Sequence, residues 1–209
     1  MTARIDKTVV AGVFSLDGSD FDVDNNVWLV GDDDEVLVID APHDPAPILD
    51  AIAGRRVTAI VLTHGHNDHI TAAVALREAT GAPIWLHPAD RMLWDVVHPD
   101  ATPDSDLVEG TRFTVAGTTL TALHTPGHSP GSTCLHAPDL ATVFTGDTLF
   151  CGGPGATGRS YSDKPTILDS IRTRLLSLPP ETRVLTGHGD ETTVAAEAPS
   201  YDEWVKRGG

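Results

Sequence analysis

Five of the ten histidines fall in three short polar segments, each beginning where an apolar run ends. The segment Thr63-His64-Gly65-His66-Asn67-Asp68-His69 follows Ala59-Ile60-Val61-Leu62 and places four candidate metal ligands within six residues. In an extended stretch His64 and His66 point to one side, whereas Asp68 and His69, at a helix entrance, point toward a second centre. Neutral imidazole and carboxylate suit zinc, iron or manganese, and a cluster without cysteine reads as catalytic rather than structural. Thr125-Pro126-Gly127-His128-Ser129-Pro130-Gly131-Ser132 holds His128 in a loop constrained by glycine and proline. Asp147, in Phe144-Thr145-Gly146-Asp147-Thr148, and His188, in Leu185-Thr186-Gly187-His188-Gly189, each follow another apolar run. A lone histidine or aspartate at a strand end usually just finds a hydrogen-bond partner. Seven such residues, each beside glycine or another tight-turn residue, would need seven separate explanations.

Two divalent ions about 3.5–4 Å apart share a hydroxide of near-neutral pKa. One polarises a carbonyl while the other stabilises the leaving group, and a thiolate needs less protonation than an amine. Such a centre suits hydrolysis at a carbonyl, with Asp68 as the candidate catalytic residue that both ligates and orients the hydroxide.

These residues need stiff elements to position them. The β-branched runs Thr8 to Phe14, Val27 to Val30, Glu35 to Ile39 and Val57 to Leu62 read as strands, the middle two joined through Gly31-Asp32-Asp33-Asp34. Pro45 to Ala53 and Ile70 to Thr80 read as helices, then Ile84-Trp85-Leu86 as a strand and Pro88 to Val96 as a helix opened by proline. The second half predicts strands at Phe113 to Val115, Thr118 to His124, Thr133 to His136, Ala141 to Thr145 and Arg183 to Leu185, with a helix over Pro165 to Leu178. Two mixed sheets with helices outside, in one domain over residues 1–209, fit this order.

Read in order, His-x-His-x-Asp-His, Thr-Pro-Gly-His-Ser-Pro-Gly-Ser, Gly-Asp-Thr-Leu-Phe and Gly-His-Gly resemble the metallo-β-lactamase superfamily, and within it the small type II glyoxalases, also called hydroxyacylglutathione hydrolases. The likeness runs from Asn26-Val27-Trp28-Leu29-Val30 to Thr193. It implies an α/β fold of αββα type, two mixed β-sheets with helices on the outer faces and two divalent metal ions, zinc foremost, at one edge. It further implies that His64, His66 and His128 hold the first ion, that Asp68, His69 and His188 hold the second, and that Asp147 bridges them. Asp40 resembles the family's buried aspartate that supports the metal loop. Arg159 and Tyr161 follow Gly152-Gly153-Pro154-Gly155, near where the family's substrate thiol enters, and a guanidinium there can grip a carboxylate. Cys151 reads as a packing residue, and His43, His87, His98, His124 and His136 as structural.

The implied activity is hydrolysis of an acyl thioester of a low-molecular-weight thiol. The alternative is a mononuclear-iron persulfide dioxygenase built on His64, His128 and Asp147. Lactonase, β-lactamase and non-catalytic metal-binding readings have less support. Only 21 residues follow His188, so no separate C-terminal substrate domain is expected, and glutathione, mycothiol or another thiol could be the carrier.

A formal charge of −16 opposes nucleic-acid binding, and three lysines form no basic block for a membrane surface. No apolar leader or membrane-spanning run is present in the sequence, and two cysteines, Cys134 and Cys151, form no disulfide framework, so a reduced, cytoplasmic protein is expected. Residues 17–35 hold eight acids and no base. A calcium loop starting at Asp20 would need glycine where Asn25 stands and glutamate where Gly31 stands. The stretch therefore reads as solvated turns flanking strands.

Overall fold

The computed structural model describes residues 3–207. Its first sheet runs β1 (Arg4–Leu16), β2 (Ser19–Gly31), β3 (Glu35–Ile39), β4 (Arg56–Val61), β5 (Ile84–Leu86) and β6 (Ser105–Asp106), in that spatial order. The first three strands pair antiparallel and the last three continue in parallel. The second sheet is built from β7 (Arg112–Val115), β8 (Thr118–His124), β9 (Thr133–Ala137), β10 (Thr142–Gly146), β13 (Arg183–Thr186) and β14 (Thr192–Thr193), with spatial order β14-β13-β10-β9-β8-β7. A small ribbon, β11 (Leu149–Phe150) with β12 (Gly153–Pro154), stands beside it.

Strand alternation explains the layers. Trp28, Val30, Leu37, Ile39 and Val61 turn inward and meet Leu120, Leu135, Phe144 and Leu185 of the other sheet. Their neighbours Leu29, Val36, Val38 and Ile60 turn outward under α1 (Pro45–Ile52), α3 (Ala73–Thr80) and α4 (Arg91–Val97). On the far side Cys134, Val143 and Val184 pack against α5 (Lys164–Ser170) and Trp204 of α7 (Tyr201–Lys206). Central strands covered on both faces must be apolar throughout, which is why they read as unbroken β-branched runs. The αββα sandwich expected from sequence is present.

Several boundaries differ from expectation. The helix expected over Ile70 to Thr80 is two pieces, α2 (Asn67–Ile70) and α3, because the loop must first turn Asp68 and His69 inward. The helix opening at Pro88 begins as a single tight turn, Pro88–Asp90, before α4. The helix near Pro165 starts one residue earlier, capped by Asp163, and changes to a wider π turn over Ile171–Leu175. The acidic segment 17–35 is the largest correction. Apart from the tight turn at Asp17-Gly18 and the turn at 32–34, it is strand, and β1 and β2 form a long hairpin paired from Arg4↔Gly31 to Leu16↔Ser19. Both cysteines are free, Cys134 buried and Cys151 exposed. Among the described residues no helix is long and apolar enough to cross a membrane.

Where β5 and β8 end, His87 and His124 stack face to face, ring centroids 4.1 Å apart and planes 9° apart. Burial and then His124 lower the His87 pKa from 6.5 to about 4. The unfolded chain therefore takes up this proton first, and stability falls as pH drops from 6.5 toward about 4. His87→Phe, which keeps a ring in the stack, is expected to show a shallower loss over that interval in urea unfolding than the wild type. Phe144→Ala, emptying a fully buried inter-sheet site, is expected to cost about 3–5 kcal/mol in the same measurement.

Candidate metal centre

The sheets present their strand ends at one edge, and the loops leaving those ends carry the seven expected ligands. His64 and His66 leave β4, Asp68 and His69 lie on α2, His128 follows β8, Asp147 follows β10 and His188 follows β13. Three groups of ligand atoms lie close enough to hold an ion: His64, His66 and His128; His64, His69 and Asp147; Asp68, His69 and His188. All seven residues implied by resemblance are therefore together. Asp147 spans the groups, Oδ1 standing 3.3 Å from His69 Nε2 and Oδ2 standing 3.6 Å from His128 Nε2 and 3.4 Å from His188 Nε2.

Supporting hydrogen bonds fix the tautomers. His69 Nδ1 donates to Asp40 Oδ2 at 2.8 Å, His128 Nδ1 to the Ala156 carbonyl at 2.9 Å and His188 Nδ1 to the Asp24 carbonyl at 2.8 Å. Thr63 Oγ1 donates to Asp40 at 2.9 Å, so it accepts from His64 Nδ1 at 3.1 Å. Each of these four rings thus commits its Nδ1 proton to a fixed acceptor and turns Nε2 toward the centre. Asp40 also accepts from Thr63 N at 2.7 Å, holding the end of β4 in place. Its own backbone is left-handed, with φ 65°.

The donor set fits metal ions. His64 Nε2, His66 Nε2, Asp68 Oδ1 and Asp147 Oδ1 are buried without a hydrogen-bond partner. Buried acceptors left unpaired are costly, and these converge where a cation would satisfy them together. With the His128 proton committed to Ala156, His128 Nε2 is left to accept from His66 Nδ1 at 3.0 Å, which leaves His66 Nε2 bare. Glycine makes the room: a Cβ on Gly187 would fall 2.2 Å from Asp147 Oδ1, and one on Gly155 would strike the Asp147 carbonyl.

Electrostatics divide the cluster. Burial, reinforced by neighbouring imidazoles, drives His64 well below its ordinary pKa and lowers His66 to about 3. Burial also acts on His188, but Asp147 and Asp68 outweigh it and raise the ring to about 10. The same carboxylates, with Asp40, outweigh burial at His69 and raise it. Burial opposes ionisation of Asp147, yet His69 and His188 hold it well below the carboxylate range.

Three supporting residues were not legible as site residues. Asn25 donates to Asp68 Oδ2 at 3.1 Å and accepts from His43 Nε2 at 2.8 Å, so His43, expected to be merely structural, braces the second triad through Asn25. Gly12 allows this, since a Cβ there would lie 2.2 Å from the His43 ring. Asp90 ties two ligand loops together. Its fully buried carboxylate accepts from Gly65 N at 2.8 Å, Ser129 Oγ at 2.7 Å and Gly131 N at 2.6 Å. It thereby locks the His64/His66 loop to the His128 loop.

A cavity of about 520 Å³ opens above the centre, with Phe14, Phe21, Phe150 and Arg159 in its walls. Tyr161, expected beside Arg159, points elsewhere: it is 55 % exposed and does not line the cavity. Cys151 belongs to none of the ligand groups.

A family model for the metallo-beta-lactamase superfamily matches residues 21–188. The chain is 37 % identical over 186 residues to the probable metallo-hydrolase YqgX of Bacillus subtilis, covering 82 % of this chain and 88 % of that one. It is 32 % identical over 188 residues to the hydroxyacylglutathione hydrolase GloC of Haemophilus influenzae, covering 82 % and 89 %. Among solved structures, TTHA1623 in a di-iron-bound form superposes with a TM-score of 0.75 at 37 % identity, covering 84 % of this chain and 93 % of that one.

Asp90→Asn puts an amide NH₂ where one of two backbone N–H groups must be accepted. It is expected to weaken metal binding by about 10- to 100-fold with the far-ultraviolet dichroism unchanged. Competition against a chromophoric chelator measures the loss.

Proposed function

The chain belongs to the metallo-β-lactamase superfamily, and from that premise we propose that this metallo-hydrolase cleaves an acyl thioester of a low-molecular-weight thiol. The observation that carries the reading is the pair of triads, His64/His66/His128 and Asp68/His69/His188, joined through Asp147 beneath an open cavity. The likeness to a hydroxyacylglutathione hydrolase over most of both chains supports the thioester class.

Divalent ions held by the two triads supply Lewis acidity, lowering the pKa of water toward neutrality and polarising the scissile carbonyl. The remaining work falls to the chain. Asp68 has one oxygen fixed by Asn25 and His188 and the other, Oδ1, free of any partner. That free oxygen is available to accept a hydrogen bond from the attacking water and so orient it. Asp40, Asp90 and the carbonyls of Ala156 and Asp24 keep the imidazoles from rotating, so geometry is set before substrate arrives. The thiolate leaves without needing a strong proton donor in the cavity. Arg159, on the cavity wall, is placed to pair with a carboxylate on the thiol.

Thioesters of glutathione, coenzyme A and mycothiol, assayed on protein of measured metal content, test the reading. Turnover is expected to rise with metal to two ions per chain and to fall by more than about 100-fold in Asp147→Ala, which stays folded but binds metal poorly. One iron per chain with oxygen consumed on a persulfide, and no thioester cleaved, would replace this reading with that of a dioxygenase.

A further inference from the structure

The β1–β2 hairpin outgrows its sheet. β2 pairs with β3 only over Trp28–Gly31, whereas β1 and β2 pair with each other as far as Leu16↔Ser19. Beyond Asn25 the two strands form a free ribbon, an arrangement of marginal stability unless something holds it. Two anchors do so. The Asn67 side chain behaves like a short neighbouring strand, donating to the Val13 carbonyl at 2.8 Å and accepting from Ser15 N at 2.9 Å. At the tip Asp17 accepts from Ser160 N at 3.0 Å, and the Arg159 guanidinium lies 4.5 Å above the Phe21 ring. Asn67 adjoins Asp68 and Arg159 lines the cavity, so the arm is fastened on both sides of the metal centre.

The faces of the arm are unlike. Asp20 and Asp22 alternate with Phe21 and Val23, which line the cavity together with Phe14, the cross-strand partner of Phe21. The Phe14 ring stands 5.3 Å from the His66 ring and 6.2 Å from Phe21. Across the cavity Phe150 stands 6.1 Å from His188. Phe21 remains 39 % exposed, a large apolar side chain held in water at the mouth of a catalytic cavity. Arg159, the one arginine or lysine lining the cavity among the described residues, sits over this outer ring. A guanidinium at that rim suits a carboxylate on the thiol, an arrangement that would leave the inner phenylalanine faces to the acyl side.

We propose that the arm is a specificity element: Phe14 and Phe21, facing Phe150, select thioesters whose acyl group ends in an aromatic or branched apolar group rather than a short hydroxyacyl group. This rests on the thioesterase reading above. A two- or three-carbon hydroxyacyl group buries little of these rings, whereas a phenyl group several bonds from the carbonyl removes them from water together with its own surface.

The test separates the arm from the reaction. With the zinc-loaded full chain, calorimetric binding of acetohydroxamate is compared with that of 4-phenylbutanohydroxamate. Acetyl, lactoyl and 4-phenylbutanoyl thioesters of N-acetylcysteamine are compared by kcat/KM. The aromatic probe is expected to bind about 10- to 30-fold tighter, with kcat/KM in the same order. Phe21→Ala and Phe14→Ala are each expected to shrink both ratios several-fold, whereas Val13→Ala, on the outward face, leaves them intact. Equal binding of the two hydroxamates, or a preference unchanged in both phenylalanine variants, overturns the proposal even if thioesters are cleaved. A hydroxamate preference that collapses in those variants while no thioester is cleaved upholds the arm's selectivity and overturns the thioesterase reading instead.

Discussion

Seven acceptor-rich side chains meet in a largely buried volume that holds too few protons to pair them. Left alone, such a cluster would repel itself and forfeit the hydration of every member. The fold withstands it through directed hydrogen bonds behind each ligand. Asp40 braces one ligand loop at both ends, accepting from Thr63 and from His69. Asp90 ties that loop to a second, joining Gly65 to Ser129 and Gly131. Neither carboxylate reaches the centre, yet without them the imidazoles would be free to turn away from one another.

Those carboxylates act only because the strands beneath them are stiff. β4, β10 and β13 are buried on both faces, and their last residues pass straight into ligand loops. Where the register slips, between Phe144 and Gly146, the chain bends and delivers Asp147 between the two triads. Gly146 adopts a positive φ there, and a Cβ would meet Thr63 Oγ1 at 2.5 Å. The close approach of the β10 end to the β4 end thus depends on one missing methyl group.

The seven candidate ligands were legible in the sequence because five of them stand beside a glycine at the end of an apolar run, and Asp68 and His69 lie in the same short segment as two of those five. The sandwich was legible for a similar reason, since strands covered on both faces are continuous β-branched stretches. Asp90, Asn25 and His43 were not, because nothing near them in sequence marks them: Asp90 lies 25 residues from Gly65 and 41 from Gly131. The acidic segment failed differently. Counted as charge, residues 17–35 look like solvated turns. Read at period two, Asp20-Phe21-Asp22-Val23-Asp24 is an amphipathic strand, and the aspartates are the polar face that lets an isolated ribbon stay soluble without pairing at its edge.

That polar face also bears on the charge of the molecule. Acids of the arm and of other exposed turns account for much of the −16, while the centre follows a different balance. The first triad holds three imidazoles and no carboxylate, and burial keeps His64 and His66 neutral. The second holds Asp68 and borders Asp147, and these carboxylates raise His69 and His188 against the effect of burial. A cation held at the second triad would meet a carboxylate partner, whereas one at the first would meet neutral imidazoles alone. The two triads differ in charge although both draw on the loop after β4, and Asp147 stands between them, near His128 of one and His69 and His188 of the other.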